Sequence, residues 1–189
     1  LPICLILQEK EAYQIILRDM KVCQQHVLNL VRKYKDTIMC GRTHVIHALP
    51  ITLGYKVAVW ADELGRDIQR LEEIEKRVFV GQMSGAVGTL ASQPEKGLET
   101  QQRMMEILEL EQPTISWHVA RDSQAEFAST LALCAGTLGR IVHEILSLQR
   151  TEILELEEPF FMGKVGSSTM PHKRNPQVLE NIIDRKSVV

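Results

Sequence analysis

The chain has no Cys-x-x-Cys spacing, no strong net charge, no apolar run near the length of a membrane span and no convincing alternation of apolar and polar residues. Each absence removes a class of function. Cys4, Cys23, Cys40 and Cys134 are widely scattered, so they read as buried thiols rather than metal ligands. A formal charge of −2 over 189 residues argues against nucleic acid as a main partner. Spanning a bilayer takes roughly 20 consecutive apolar residues. Leu1-Pro2-Ile3-Cys4 carries neither a basic leader nor a cleavage pattern, so no membrane partner is expected and a cytoplasmic setting follows. The missing alternation leaves little room for strands.

What is present is helical periodicity. A first helix is expected over about Leu5 to Lys35, a second from Ile51 to Val80 and a shorter third from Lys96 to Leu110. A fourth opens at Asp122 or Ser123, with Ser123 and Glu126 as a capping box, and runs towards Leu154. Helices of this length span on the order of 45 Å. That exceeds the needs of a small globular domain, so the predicted fold is all-α, an elongated bundle of long helices. Apolar residues on more than one stripe, as at Leu131 to Ala135 and Ile141 to Leu148, imply burial on two sides and pairing between copies. The alternative is a monomeric four-helix bundle.

Three short segments carry chemistry. Residues 163–176, Gly-Lys-Val-Gly-Ser-Ser-Thr-Met-Pro-His-Lys-Arg-Asn-Pro, combine cations (Lys164, His172, Lys173, Arg174), hydroxyls and the Asn175 amide around glycines that let the backbone approach a ligand. Pro176 suits the first turn of a helix through Glu180, whose N-terminus would favour a carboxylate or a deprotonated serine. Between the first two helices lies a loop, Gly41-Arg42-Thr43-His44-Val45-Ile46-His47-Ala48-Leu49-Pro50. Its two histidines, three apart, form at most a weak metal pair, because no acidic or cysteine ligand accompanies them. Gln82-Met83-Ser84-Gly85-Ala86-Val87-Gly88-Thr89, taken alone, is a helix-ending turn.

Taken together these strings resemble the fumarase/aspartase superfamily, whose pattern Ser-Ser-x-Met-Pro-x-Lys-x-Asn is met by Ser167, Ser168, Met170, Pro171, Lys173 and Asn175. The Gly-Arg-Thr-His-x-x-His-Ala and Ser-Gly-Ala-Val-Gly-Thr strings are similar to those of its adenylosuccinate lyases. The resemblance implies Ser167 as general base, His44 as general acid and Glu180 as the carboxylate partner of His44. It implies substrate contacts from Thr43, Ser84, Gly85, Thr89, Arg121, Ser168, Met170, Lys173 and Asn175. The reaction implied is a β-elimination releasing fumarate from a dicarboxylate-bearing substrate, with C–N cleavage in purine biosynthesis as the first reading, no cofactor and no metal, in a homotetramer. Ser116-Trp117-His118-Val119-Ala120-Arg121-Asp122 departs from that branch and is similar to the 3-carboxy-cis,cis-muconate cycloisomerases, while His44 favours a lyase. A non-catalytic helical remnant is the competing class.

Superfamily subunits are much longer. Residues 1–183 are therefore expected to be part of the central helical domain, without the N-terminal and C-terminal domains and without a Thr-Ser-x-Asp element. Residues 184–189, Asp-Arg-Lys-Ser-Val-Val, are expected to be a non-native tail. Active sites of the superfamily draw one motif from each of three subunits, so the fragment alone is expected to be inactive or poorly folded.

Overall fold

Apolar side chains three and four apart set the long helices. Val57, Trp60, Ala61, Leu64, Ile68, Leu71, Ile74 and Val78 repeat at that interval along Leu53–Val78, and all are buried. Full burial of Leu64 or Leu71 contributes about 2 kcal/mol each. In the computed structural model, which describes residues 2–161, 163, 166–170 and 172–185, the order is α1 (Pro2–Lys33), β1 (Ile38–Thr43), β2 (Ile46–Thr52), α2 (Leu53–Val78), α3 (Gly97–Leu108), α4 (Asp122–Leu148) and α5 (Gln177–Arg185). Lys164, Pro171 and residues 186–189 of the expected tail lie outside the described residues. Among the described residues the fold is helical, as expected, apart from one two-stranded sheet and an isolated bridge between Val80 and Glu111. Basic residues close α1 (Arg32, Lys33) and α2 (Lys76, Arg77), where they complement the helix dipole.

Several expectations need correction. The segment between α1 and α2 is a β-hairpin rather than a loop, with Thr43 paired to Ile46 and a register shift between Cys40 and Arg42. Its period was masked because the chain bulges at Gly41, where a Cβ would lie 2.4 Å from the Leu49 carbonyl oxygen. Ser123 is the second residue of α4 and Arg121 takes the cap position, its carbonyl accepting from the Ala125 amide at 2.9 Å, so the capping box is not formed. α4 is also long and apolar enough, by length and composition alone, to cross a membrane. It buries Phe127, Cys134, Ile141, Val142 and Leu148, while Arg140 and Glu144 are engaged by Glu63 and Lys56 of α2. Finally, Cys134 is buried, but Cys23 and Cys40 are half-buried and Cys4 is exposed.

The chain divides into two compact units, residues 1–25 with 65–130, and residues 26–64 with 131–189. The first is centred on Ile6, Tyr13 and Met20 of α1, the second half of α2, and Phe79, Met105 and Phe127. Tyr13 stacks obliquely on Phe79 at 4.9 Å, and Phe79 meets Phe127 edge-on at 5.9 Å. Burial, reinforced by Glu75 and Glu72, pushes the Tyr13 hydroxyl up to about 12. The second unit buries Leu53, Val57, Trp60 and Leu64 together with Cys134, Ile141, Val142 and Leu148.

At the hairpin tip His44 (φ 52) and Val45 (φ 60) both adopt the left-handed region, as a two-residue type I′ turn requires. A β-branched residue is strained there. Val45→Gly is expected to stabilise the chain by about 1 kcal/mol, read as a higher urea midpoint at constant slope. A midpoint at or below that of the parent would show that the tip is unstrained.

Candidate functional site

In the unit formed by residues 26–64 and 131–189, the hairpin carries Thr43 and His44 at its exposed end. Its anchor is Arg42, whose guanidinium donates to both oxygens of Glu155 at 2.8 and 2.7 Å. The pair is largely buried, with side chains 15% and 25% exposed. Hydrogen bonding to Arg42, ahead of its charge and that of Lys56, holds the Glu155 carboxyl below its usual value of 4.5. Next to the hairpin is a cavity of about 610 Å³, lined by Arg42, Val45, Lys56, Trp60, Glu144 and Arg150 among others.

The serine loop folds in the same unit. Gly166 is buried, and a Cβ there would lie 2.4 Å from the Lys173 carbonyl oxygen, so the loop closes tightly only with glycine. Half-buried Ser167 turns its Oγ towards the following backbone, where it accepts from the amides of Thr169 at 3.3 Å and Met170 at 3.2 Å. Two donors on one serine oxygen favour its anion. Ser168 Oγ lies 3.4 Å from Thr169 Oγ1. The Lys173 amide donates to the Met170 carbonyl at 3.1 Å, leaving the Lys173 side chain exposed, and Asn175 is half-buried.

The start of α5 is already occupied. Glu158 Oε1 and Oε2 accept from the amides of Val178 at 3.4 Å and Leu179 at 3.2 Å. The helix terminus expected to receive a ligand carboxylate is capped by the chain's own. Helix α5 begins at Gln177, so Pro176 precedes its first turn, and its carbonyl accepts from the Glu180 amide at 2.9 Å. His44 and Glu180 are both exposed, and neither side chain forms a hydrogen bond or ion pair among the described residues.

The remaining candidates lie in the other unit. The Ser84 carbonyl accepts from the Leu90 amide at 2.8 Å, closing a loop in which Gly85 (φ 78) and Gly88 (φ 85) take conformations that suit glycine. Ser84 is only 5% exposed, and its Oγ has no partner among the described residues. Thr89 is exposed, and Arg121 donates to the carbonyls of His118 at 3.1 Å and Ala120 at 2.6 Å. Arg42 was read only as part of its motif, and its partner Glu155 and the cap Glu158 escaped the sequence reading, because these contacts span long separations and carry no local spacing. Among the described residues no group of three His, Cys, Asp or Glu side chains is placed to hold a metal ion.

A family described as Lyase matches residues 2–189. An N-acetyl-S-(2-succino)cysteine lyase of Enterococcus italicus is 51% identical over 94% of this chain and 39% of its own length. An adenylosuccinate lyase of Pyrococcus abyssi is 47% identical over 92% of this chain and 39% of its own. The crystal structure of a 3-carboxy-cis,cis-muconate lactonizing enzyme from Pseudomonas putida superposes with a TM-score of 0.89 at 40% identity, over 97% of this chain and 41% of that one. The chain thus spans about two-fifths of the length of the curated relatives it matches.

Because the folded Glu155 carboxyl titrates below its usual value, the Arg42 pair stabilises fully above pH 4.5 and is lost as pH falls through the lower folded value. Glu155→Gln is expected to cost about 1 kcal/mol at neutral pH. In denaturant titrations across pH, the gap to the parent should stay level at neutral pH and close below 4.5. A gap that persists undiminished in acid would remove the ion pair as its cause.

Proposed function

The chain belongs to the lyase family of the fumarase/aspartase superfamily, and on that premise we propose that the complete protein releases fumarate by β-elimination from a succinyl group carried on sulfur or nitrogen. The observation that carries the reading is the Ser167 oxygen, supplied with two backbone donors in a glycine-tightened loop. Ser167, as alkoxide, takes the proton from the carbon beside a carboxylate. That electron pair forms the double bond, the bond to the heteroatom breaks, and His44 protonates the leaving atom. Lys173, Asn175, Ser168 and Met170 hold the carboxylate that bears the developing charge, with Ser84, Gly85, Thr89 and Arg121 of another subunit contributing further contacts. Glu180 is proposed to partner His44 from another subunit, which fits their lack of contact within one chain.

The scheme needs only proton transfers, so no cofactor is invoked. Exposed Ile15 and Val22 on α1 and Leu133 on α4 support burial of these helices in a homotetramer, and the four free thiols fit a cytoplasmic setting. In the same proposal, residues 1–183 form part of the central helical domain of the complete protein.

Two leaving groups fit. A thiol, as in N-acetyl-S-(2-succino)cysteine, is the first reading, because the segment 116–122 departs from the nucleotide-lyase pattern and the Enterococcus italicus relative is 51% identical. The purine amine of adenylosuccinate, with a place in purine biosynthesis, is the second, supported by the hairpin and Gly-rich strings and the Pyrococcus abyssi relative.

Incubating the complete protein with the succinyl thioether, adenylosuccinate and 3-carboxymuconate, and following the fumarate double bond by absorbance, separates the readings. Ser167→Ala is expected to slow fumarate release by roughly a thousandfold with little change in substrate binding. Consumption of carboxymuconate alone would replace elimination with cycloisomerisation, and inertness towards all three would favour a non-catalytic helical protein.

A further inference from the structure

The segment that departs from the nucleotide-lyase pattern is strapped onto the glycine-rich loop. The Trp117 amide donates to Oε1 of buried Gln82 at 2.6 Å, and the indole Nε1 donates to the Gly81 carbonyl at 3.0 Å. From the other side, Gln101 Nε2 donates to the Met83 carbonyl at 2.7 Å. These bonds fix residues 81–83 and 117 relative to one another, within the unit that also holds Ser84, Gly85 and Thr89.

On this strap sits a side-chain pair, Ser116 Oγ and His118 Nδ1, 2.6 Å apart. Gly88 is its seat. A Cβ at Gly88 would lie 2.7 Å from Ser116 Oγ, 2.8 Å from Ser116 Cβ and 3.7 Å from His118 Nδ1, so any larger residue would push the pair off the loop. His118 is exposed, and its second ring nitrogen has no partner among the described residues. Beside the pair, Ser116, Trp117, Val80 and Gln124 line a cavity of about 270 Å³, and the Gln124 Oε1 is buried without a partner.

We propose that His118, oriented by Ser116 on Gly88, is the residue that selects a substrate bearing a carboxylate on its leaving group. The inference rests on the elimination reading above and deepens it. A ligand carboxylate favours the tautomer in which the Ser116 hydroxyl donates to Nδ1 and Nε2 carries the proton, so that Nε2–H donates to the ligand. A thioether of succinate with N-acetylcysteine carries such a third carboxylate in addition to the two of its succinyl group. The leaving group of adenylosuccinate carries a phosphate and no carboxylate. His118, contributed like Glu180 from another subunit of the proposed tetramer, therefore acts on the choice of leaving group, while the bond-breaking steps stay with Ser167 and His44.

The test is a binding titration on the complete protein in a Ser167→Ala background, which keeps ligand intact. The probes are N-acetyl-S-(2-succino)cysteine and its counterpart without the third carboxylate, N-acetyl-S-(2-succino)cysteamine. The parent should bind the first roughly tenfold or more tightly than the second. His118→Ala should erase that preference by weakening only the first, Ser116→Ala should reduce it, and His118→Gln, which keeps a donor near the Nε2 position, should restore part of it. Circular dichroism checks that each variant is folded. Equal weakening of both probes by His118→Ala, or no carboxylate-dependent difference in the parent, including no binding of either probe, overturns the proposal. A carboxylate-dependent difference that vanishes in His118→Ala, in a protein that releases no fumarate with Ser167 restored, would uphold this selectivity while removing the elimination reading.

Discussion

The bidentate contact between Arg42 and Glu155 joins stretches of chain 113 residues apart, and the arrangement of the hairpin and serine loop depends on it. Glu155 lies just past the end of α4, and its amide donates back to the Leu148 carbonyl at 3.0 Å. Three residues on, Glu158 receives support at its amide from Gln149 Oε1 at 3.0 Å and gives its carboxylate to the first amides of α5. A single acidic segment therefore holds the strand below His44 and the helix that follows Ser167. The Glu155 carboxylate compensates a largely buried guanidinium that would otherwise be costly, while Glu158 satisfies amides at the more exposed start of α5.

Rigidity and strain are divided within this unit. Arg174 continues the anchoring from the loop side, reaching Glu157 at 2.9 Å with its guanidinium over the Phe160 ring at 5.1 Å. The hairpin tip, by contrast, holds a valine in a backbone region that suits glycine or asparagine. Below the tip sits the cavity that Val45, Lys56 and Trp60 help to line. Exposed Thr43 and His44 thus stand at the end of a well-braced support.

The long helices were legible from the sequence because their apolar spacing is repeated many times. α2 alone carries nine buried apolar residues in register, and its expected ends fall within two residues of the observed ones. The hairpin was not, since its turn is His-Val rather than Asn-Gly, its second strand contains Pro50, and the bulge at Gly41 breaks the alternation. Helix α4 was expected to run to Leu154 but stops at Leu148, where backbone bonds from Glu155 and Leu156 terminate it. For the site, the string Ser-Ser-Thr-Met located the loop, yet the two amides on Ser167 Oγ and the Glu158 cap depend on folded geometry. Ser84 marks the limit of both: a buried hydroxyl without a described partner is invisible to spacing rules and becomes informative only in three dimensions.

The Glu158 cap also bears on how this scaffold diversifies. With the first amides of α5 satisfied by Glu158 and those of Thr169 and Met170 by Ser167 Oγ, the variable chemistry of the serine loop is left to side chains such as exposed Lys173 and half-buried Asn175. Exchanging those side chains alters the charge that the loop prefers without disturbing the helix behind it. Point substitution at those positions therefore changes the character of the loop while the backbone that holds the serine stays in place.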